Sequence, residues 1–113
     1  MIESKNVAQV EPMPNPHGVA ARKLHDSEHA QVVHLTMTPG QGLRPHITPV
    51  DVCFYVLAGR GTVEIGAASR EVGPETLVES PAGIRHRWQN DGDETLSILV
   101  IKAPKPTQQT QLL

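Results

Sequence analysis

Two histidines in segments of strand-like sequence, His46 and His86, have side chains that could bind a metal ion or transfer a proton. Residues two apart in a β-strand point to the same face, so Thr48 shares a face with His46, and Trp88 shares one with His86. A neutral imidazole is a common ligand of divalent metal ions, and this binding weakens below about pH 6.5. Without an ion, two imidazoles can act as acid and base on a small molecule. The pair therefore indicates a metal site or an acid–base site, and the alternative is two pocket histidines that only form hydrogen bonds.

Two further residues are candidates for completing a metal site, Asp51 and His34. Strand alternation puts Asp51 on the face opposite to His46, unless a bulge near Pro49-Val50 shifts the chain by one residue. His34 lies within the apolar segment QVVHLTM, and the sequence does not fix which face it occupies. The alternative interpretations are a solvated carboxylate at the start of a strand for Asp51 and a hydrogen-bonded wall histidine for His34.

Three other side chains are expected near the same pocket, Arg44, Thr48 and Trp88. Arg44 shares strand parity with His46, so its guanidinium could bind a carboxylate or phosphate at the pocket mouth. Its alternative is an exposed loop arginine. Thr48 offers a neutral hydroxyl, which is a poor metal ligand beside imidazole. Trp88 is either a core residue or a stacking surface for a flat ligand.

The segments that must position these residues follow a pattern typical of strands. Short apolar or alternating runs stand between turn residues such as Pro39-Gly40 and Gly59-Arg60-Gly61. At least seven strands are predicted, over residues 31–38, 51–57, 62–65, 69–72, 76–79, 85–89 and 95–102. The sequence therefore predicts an all-β single domain, either a sandwich or a small barrel.

The two ends of the chain differ from this middle region. Prolines at positions 12, 14 and 16 forbid a helix and favour an extended arm that packs against a second subunit. The predicted organisation is an arm with the first strand or strands over residues 1–30, the strand-rich domain over 31–103, and a frayed tail over 104–113.

Composition excludes several function classes. The 113 residues carry a formal charge of -2, so no cationic surface for nucleic acid is expected. No run of about 18 apolar residues occurs, which argues against a membrane span. One cysteine, Cys53, permits no intrachain disulfide, and the N-terminus lacks a secretion signal, so a reducing cytoplasm is the expected location. Phosphate-loop, nucleophile-elbow and CxxC motifs do not occur.

Two segments of the chain resemble the motifs of the cupin family. Residues 40–59, GQGLRPHITPVDVCFYVLAG, resemble the first motif, and residues 81–90, PAGIRHRWQN, resemble the second. The second motif ends in Pro-x-Gly-x-x-His-x-x-x-Asn, and Pro81, Gly83, His86 and Asn90 stand at that spacing. The resemblance implies a double-stranded β-helix, or jelly-roll barrel, with a pocket between the two motifs in which His46 and His86 meet.

The resemblance also implies a divalent metal, held in complete family members by three His and one Glu. Only His46 and His86 match, since Thr48 stands at the second His position and Val52 at the Glu position. Binding of Zn, Fe, Mn or Ni is therefore expected to be weak or absent. A homodimer paired through strand edges is also implied.

Three classes of function follow from this resemblance. The first is an enzyme that acts on a small polar or acidic metabolite, of isomerase, dioxygenase or sugar-acid modifying type. The second is a non-catalytic module that binds or senses a small ligand without metal. The third is a structural dimer that keeps its histidines without using them.

Overall fold

Two five-stranded antiparallel sheets face each other in the computed structural model, which describes residues 1–113. The strands are β1 (Ala20–Asp26), β2 (Gln31–Met37), β3 (His46–Ile47), β4 (Val52–Ala58), β5 (Gly61–Ile65), β6 (Ala68–Val72), β7 (Leu77–Ser80), β8 (Arg85–Gln89), β9 (Leu96–Lys102) and β10 (Gln111–Leu112). One sheet has the order β1-β2-β9-β4-β7 and the other β10-β3-β8-β5-β6. The only helical segment is a short 3₁₀ turn, so no helix could cross a bilayer.

The all-β prediction is confirmed, and each of the seven predicted strands is present with bounds that differ by at most one residue. Three strands were not among those seven. β1 carries Arg22, Lys23, His25 and Asp26, because it lies at a sheet edge and one of its faces meets solvent. β3 and β10 have two residues each, too few to show an alternating pattern.

The prediction of a frayed tail is wrong for its last residues. β10 pairs with β3, where Gln111 lies opposite Ile47 and Leu112 opposite His46. The amide of Leu113 also donates to the carbonyl of Pro45 at 3.0 Å. Without the tail, β3 would pair only with β8, and the backbone groups on its other side would lack hydrogen-bond partners. β10 supplies those partners.

The N-terminal arm packs on its own barrel. Met13 forms a bridge with Ala21 of β1, and the Arg22 guanidinium donates to the carbonyl of Val10 at 3.0 Å. Contact with a second subunit, and the boundaries of the three predicted regions, stay predictions.

The core lies between the sheets, where alternate residues of each strand point inward. Leu96 and Ile98 of β9 are fully buried, as are Phe54 and Val56 of β4. From the other sheet, Trp88 is 0 % exposed, and its ring meets that of Phe54 edge-on at 5.5 Å. Burying one such large side chain contributes about 1.5–3 kcal/mol relative to an exposed position. Packing in this layer therefore fixes the faces of β4, β8 and β9.

Asn90, the last residue of the second motif, is a buried structural residue. Its Nδ2 donates to the carbonyls of Met37 and Glu94, both at 2.9 Å, and its Oδ1 accepts from the amide of Gly92 at 3.0 Å. A buried amide with its hydrogen bonds satisfied stabilises the turn between β8 and β9. This turn sets the register of β8, which carries His86.

Gly59 provides a test of the hairpin between β4 and β5. Its φ is +81°, and an added Cβ would lie 2.3 Å from the carbonyl oxygen of Thr95. Gly59→Ala should lower the free energy of unfolding by about 3 kcal/mol or more, because left-handed strain and overpacking add. Gly40 is the matched control, with a φ of +88° and nothing near its Cβ position.

Gly40→Ala should lower the free energy of unfolding by only about 1–2 kcal/mol, because it adds left-handed backbone strain without overpacking. Urea denaturation of both variants at pH 7 measures the difference. Equal losses in the two variants would show that the contact with Thr95 does not constrain the hairpin.

Candidate functional site

A cavity of about 370 Å³ opens between the sheets. Residues of both sheets line it, together with residues of the arm and the tail. Half of the lining residues are hydrophobic, and no Asp or Glu is among them. Its polar side chains include His17, His46, His86, Thr48 and Lys102. A surface hollow of about 270 Å³ near Asp91 has no hydrophobic lining and contains none of these groups.

His46 and His86 meet on the wall of this cavity. They lie opposite each other in the register of β3 and β8, and side chains of such a pair are close neighbours. Their Nε2 atoms are 3.0 Å apart and their rings are edge-on, with centroids 4.4 Å apart. His86 is 1 % exposed and His46 is 7 % exposed. The structure thus brings together two residues that are 40 positions apart in the sequence.

The hydrogen-bond partners fix where the ring protons lie. The carbonyl of Arg44 can only accept, so His46 donates to it from Nδ1 at 2.6 Å. A neutral His46 then has a lone pair on Nε2, which accepts from Nε2–H of His86. The Nδ1 of His86 consequently accepts from the Ser80 hydroxyl at 2.6 Å. The pair therefore has one direction of donation, which runs from Ser80 through both rings to Arg44.

Burial keeps both imidazoles neutral. Burial, together with the charges of His46 and Lys102 in their protonated forms, lowers the pKa of His86 from 6.5 to about 4. Burial also lowers the pKa of His46, although the hydrogen bond to the Arg44 carbonyl opposes this effect. At pH 7 the cavity wall accordingly presents a neutral N–H donor, on His86, beside a neutral nitrogen acceptor, on His46.

His17 is a site residue that the sequence reasoning missed. Its ring centroid lies 5.1 Å from that of His46, and its Nδ1 accepts from the amide of Arg44 at 2.8 Å. Asn15 holds the turn, since its Oδ1 accepts from the amide of His17 and its Nδ2 donates to Val19. Burial, and the charges nearby, lower the pKa of His17 to about 4. No residue spacing linked His17 to the site, because its position depends on how the arm folds back.

Lys102 is the second residue that was missed, and here the sequence did contain a sign. Leu96, Ile98 and Val100 of β9 point into the core, and Lys102 continues this even-numbered series. It lines the cavity and forms no ion pair. Burial lowers its pKa. Extending the alternation of TLSILVIK to its last residue would have placed this cation inside.

The two residues proposed to complete a metal site do not reach the cavity. Asp51 is exposed, and its Oδ1 accepts from the amide of Ala82 at 2.8 Å. The shift of register that would turn it inward does not occur, since Val52 is the buried neighbour. His34 lies on the outer face of its sheet, where its Nε2 is 2.8 Å from the Ser97 hydroxyl. Both positions match the alternative interpretations, a strand-entry carboxylate and a hydrogen-bonded wall histidine.

Of the three side chains expected near the pocket, one lines the cavity and two do not. Thr48 lines the cavity, and its hydroxyl lies 3.2 Å from Nε2 of His86. Arg44 is exposed and its side chain does not line the cavity, because only its backbone groups turn toward His17 and His46. Trp88 lies deeper than the cavity, packed against Phe54, and acts as a core residue.

The residues present do not fit a firmly held divalent metal. No group of three or more His, Cys, Asp or Glu side chains is arranged to hold an ion. The donors that converge are the Nε2 atoms of His46 and His86 and the Thr48 hydroxyl, and His17 does not join them as a third imidazole ligand, whereas a catalytic zinc site normally has three protein ligands besides water. Lys102 adds a positive charge at the same cavity, which disfavours a cation.

Comparison with known proteins agrees with this architecture. The family model described as "Cupin domain" matches residues 33–102. No curated protein sequence matches the chain.

Solved structures similar to this one include the TT1209 protein of Thermus thermophilus, which is 26% identical with a TM-score of 0.79, over 93% of this chain and 100% of that one. The polyketide cyclase RemF of Streptomyces resistomycificus is 20% identical with a TM-score of 0.85, over 100% and 86%. A predicted oxalate decarboxylase of Thermotoga maritima is 18% identical with a TM-score of 0.77, over 96% and 97%. The last two support the fold alone.

Zinc titration tests the fit of the donor set. Zn²⁺ should bind with a Kd above about 1 µM, because two imidazoles provide less than a full ligand set. Isothermal titration calorimetry at pH 7.5 measures this affinity, and treatment with EDTA should leave the unfolding temperature unchanged. Stoichiometric metal in the purified protein, with an unfolding temperature that falls after EDTA, would contradict this expectation.

The buried imidazoles also predict how stability depends on pH. Since the pKa of His86 is about 4 in the folded chain and 6.5 when unfolded, the unfolded chain binds more protons between these values. The free energy of unfolding should therefore fall as the pH is lowered from 7 to 5, with about 2 kcal/mol from His86. Urea denaturation at several pH values measures the fall, and His86→Gln should reduce it. An identical fall in the variant would show that His86 does not contribute.

Proposed function

Because the chain belongs to the cupin family, we propose that its barrel cavity binds a small organic molecule and that His46 and His86 move a proton on it. The observation that carries this proposal is the 3.0 Å contact between the two Nε2 atoms at the wall of the cavity. It places one hydrogen-bond acceptor and one donor side by side, in a site with an apolar half. Such a pair suits proton transfer next to a carbonyl group.

The cavity restricts the size of the molecule. Its volume of about 370 Å³ lies at the lower end of the range for small-molecule pockets. The apolar side, from residues such as Leu35, Val52 and Phe54, suits a compact hydrocarbon or aromatic body. The polar side suits a group that accepts hydrogen bonds. A small carbonyl compound with an apolar body meets both requirements.

The direction of donation assigns the two roles. A ligand that enters between the rings replaces their mutual hydrogen bond. His46 then has a free lone pair on Nε2 and is the general base, and its Nδ1–H remains held by the Arg44 carbonyl. His86 is a neutral donor, and its Nε2–H stabilises negative charge on the carbonyl oxygen.

The corresponding reaction is an isomerisation. His46 takes a proton from the carbon next to the carbonyl and becomes an imidazolium, and the bond electrons form an enolate whose oxygen accepts from His86. The imidazolium can exchange this proton with solvent, and it then returns a proton to the carbon that lost it, to the enolate oxygen or to a conjugated carbon. Atoms and electrons balance without an oxidant or a metal. This makes the isomerase type the favoured member of the enzyme classes expected from the sequence.

A non-catalytic binding module uses the same cavity without the proton transfer. The observation that favours it is the internal hydrogen bonding of the pair, since neither imidazole has a free donor or acceptor until a ligand separates them. The expected homodimer, the cytoplasmic location and the absence of nucleic-acid binding stay predictions. Light scattering at micromolar concentration tests the first of these.

Phenylpyruvate is a suitable probe of proton transfer, because it combines an acidic C–H next to a carbonyl with a flat apolar ring. In D₂O the protein should accelerate deuterium uptake at C3, as measured by proton NMR. His46→Gln should slow the protein-catalysed rate by about 100-fold or more, because it removes the base. His34→Gln is the matched control, since His34 lies on the outer face, and it should keep the full rate.

Two results would contradict the proposal. One is a rate with protein that equals the rate in buffer, which together with measurable binding would support the non-catalytic module. The other is a full rate in His46→Gln. Circular dichroism of each variant establishes that it is folded.

A further inference from the structure

We propose that Lys102 is the anion-binding residue of the cavity and that the natural ligand is a monocarboxylate with an apolar body. The proposal rests on the proposed function for its choice of cavity and extends it by naming the ligand class. It replaces Arg44, which the sequence suggested for this role and which the structure places outside the cavity.

The position of Lys102 is fixed by the register of the sheet. It lies opposite Val52 on β4 and opposite Gln31 on β2, at the end of the inward-facing series of β9. Two neighbouring strands therefore hold its backbone, and its side chain lines the cavity. Lys102 lines the same cavity as His17, His46 and His86.

The cavity gives this cation no counter-charge. Lys23 and Lys105, by contrast, both form ion pairs with Asp26 on the surface. Lys102 has neither an ion pair nor a hydrogen bond from its ammonium. A partly buried charge without a partner is unfavourable, and this cost is removed when an anion enters. The protein thus lacks a negative group where a ligand carboxylate would supply one.

His17 provides a second donor to the same anion. Its Nδ1 accepts from the Arg44 amide, so the neutral ring carries its proton on Nε2. That N–H has no hydrogen-bond partner in the structure, and the ring lines the cavity. A carboxylate has two oxygens, so it can accept from both Lys102 and His17.

The apolar lining and the single cation decide the class of anion. One ammonium balances one negative charge, whereas a phosphate dianion would bring an excess charge into a site half lined by hydrocarbon. The apolar half of the cavity requires a ligand with a hydrocarbon or aromatic portion. These two conditions together favour a monocarboxylate such as an aryl or alkyl acid.

The experiment compares 3-phenylpropionate with its neutral amide, 3-phenylpropanamide, by isothermal titration calorimetry at pH 7.5. The unaltered protein should bind the carboxylate about 10- to 100-fold more tightly than the amide, because a charged hydrogen bond is added. Lys102→Met should abolish this preference, and Lys102→Arg should retain most of it. Lys105→Met is the control of equal charge change on the surface and should keep the preference.

A second readout needs no ligand. Since Lys102→Met removes an unpaired cation from a partly apolar site, it should raise the unfolding temperature of the free protein, whereas Lys105→Met should not. The proposal is overturned if the carboxylate and the amide bind equally, if neither binds at millimolar concentration, or if Lys102→Met keeps the preference for the carboxylate.

The two proposals fail in different ways. If phenylpyruvate shows no catalysed deuterium uptake but Lys102→Met loses the carboxylate preference, the proposal of an anion site is retained and the proposal of proton transfer is rejected. If deuterium uptake is catalysed but Lys102→Met binds the carboxylate as the unaltered protein does, the proposal of an anion site is rejected and the proposal of proton transfer is retained.

Discussion

The hydrogen bond between His86 and His46 is the interaction that gives this cavity its chemistry. Two neutral imidazoles in contact could donate in either direction, but the carbonyl of Arg44 cannot donate and so removes one of the two arrangements. The Ser80 hydroxyl can rotate to match the remaining one. A backbone atom outside the cavity thereby determines which histidine is the acceptor and which is the donor.

The geometry of this pair depends on a strand of only two residues. β3 is paired with β8 on one side and with β10 on the other. The tail residue Leu112 therefore supports the backbone of His46. Next to His46, the turn at Asn15 fixes His17, whose ring nitrogen accepts from the amide of Arg44. Both termini therefore contribute to the site, although the barrel itself is made by the middle of the chain.

The sequence allowed most of the barrel to be predicted because the inward and outward alternation of β2, β4 and β9 is visible in residue type. The meeting of His46 and His86 could be anticipated only from the resemblance to a family, since alternation within a strand does not tell which strands pair. His17 could not be anticipated, because the path of an irregular arm has no period. The alternation of β9 could have predicted that Lys102 points into the cavity. A charged residue at the end of an apolar strand, however, is readily assigned to solvent.

The replacement of the family's Glu by Val52 and the presence of Lys102 are connected by the register of β4 and β9, where the two residues lie opposite each other. A glutamate at position 52 would lie beside Lys102 on the same face of the sheet, with Cβ atoms about 5 Å apart, and would offer that cation a counter-charge. With valine at this position, the carboxylate that a metal needs is absent and the ammonium is left without a partner. A single change of residue type therefore disfavours a cation and favours an anion in the same cavity. On this argument the valine removes a metal ligand and at the same time leaves the cavity with an uncompensated positive charge.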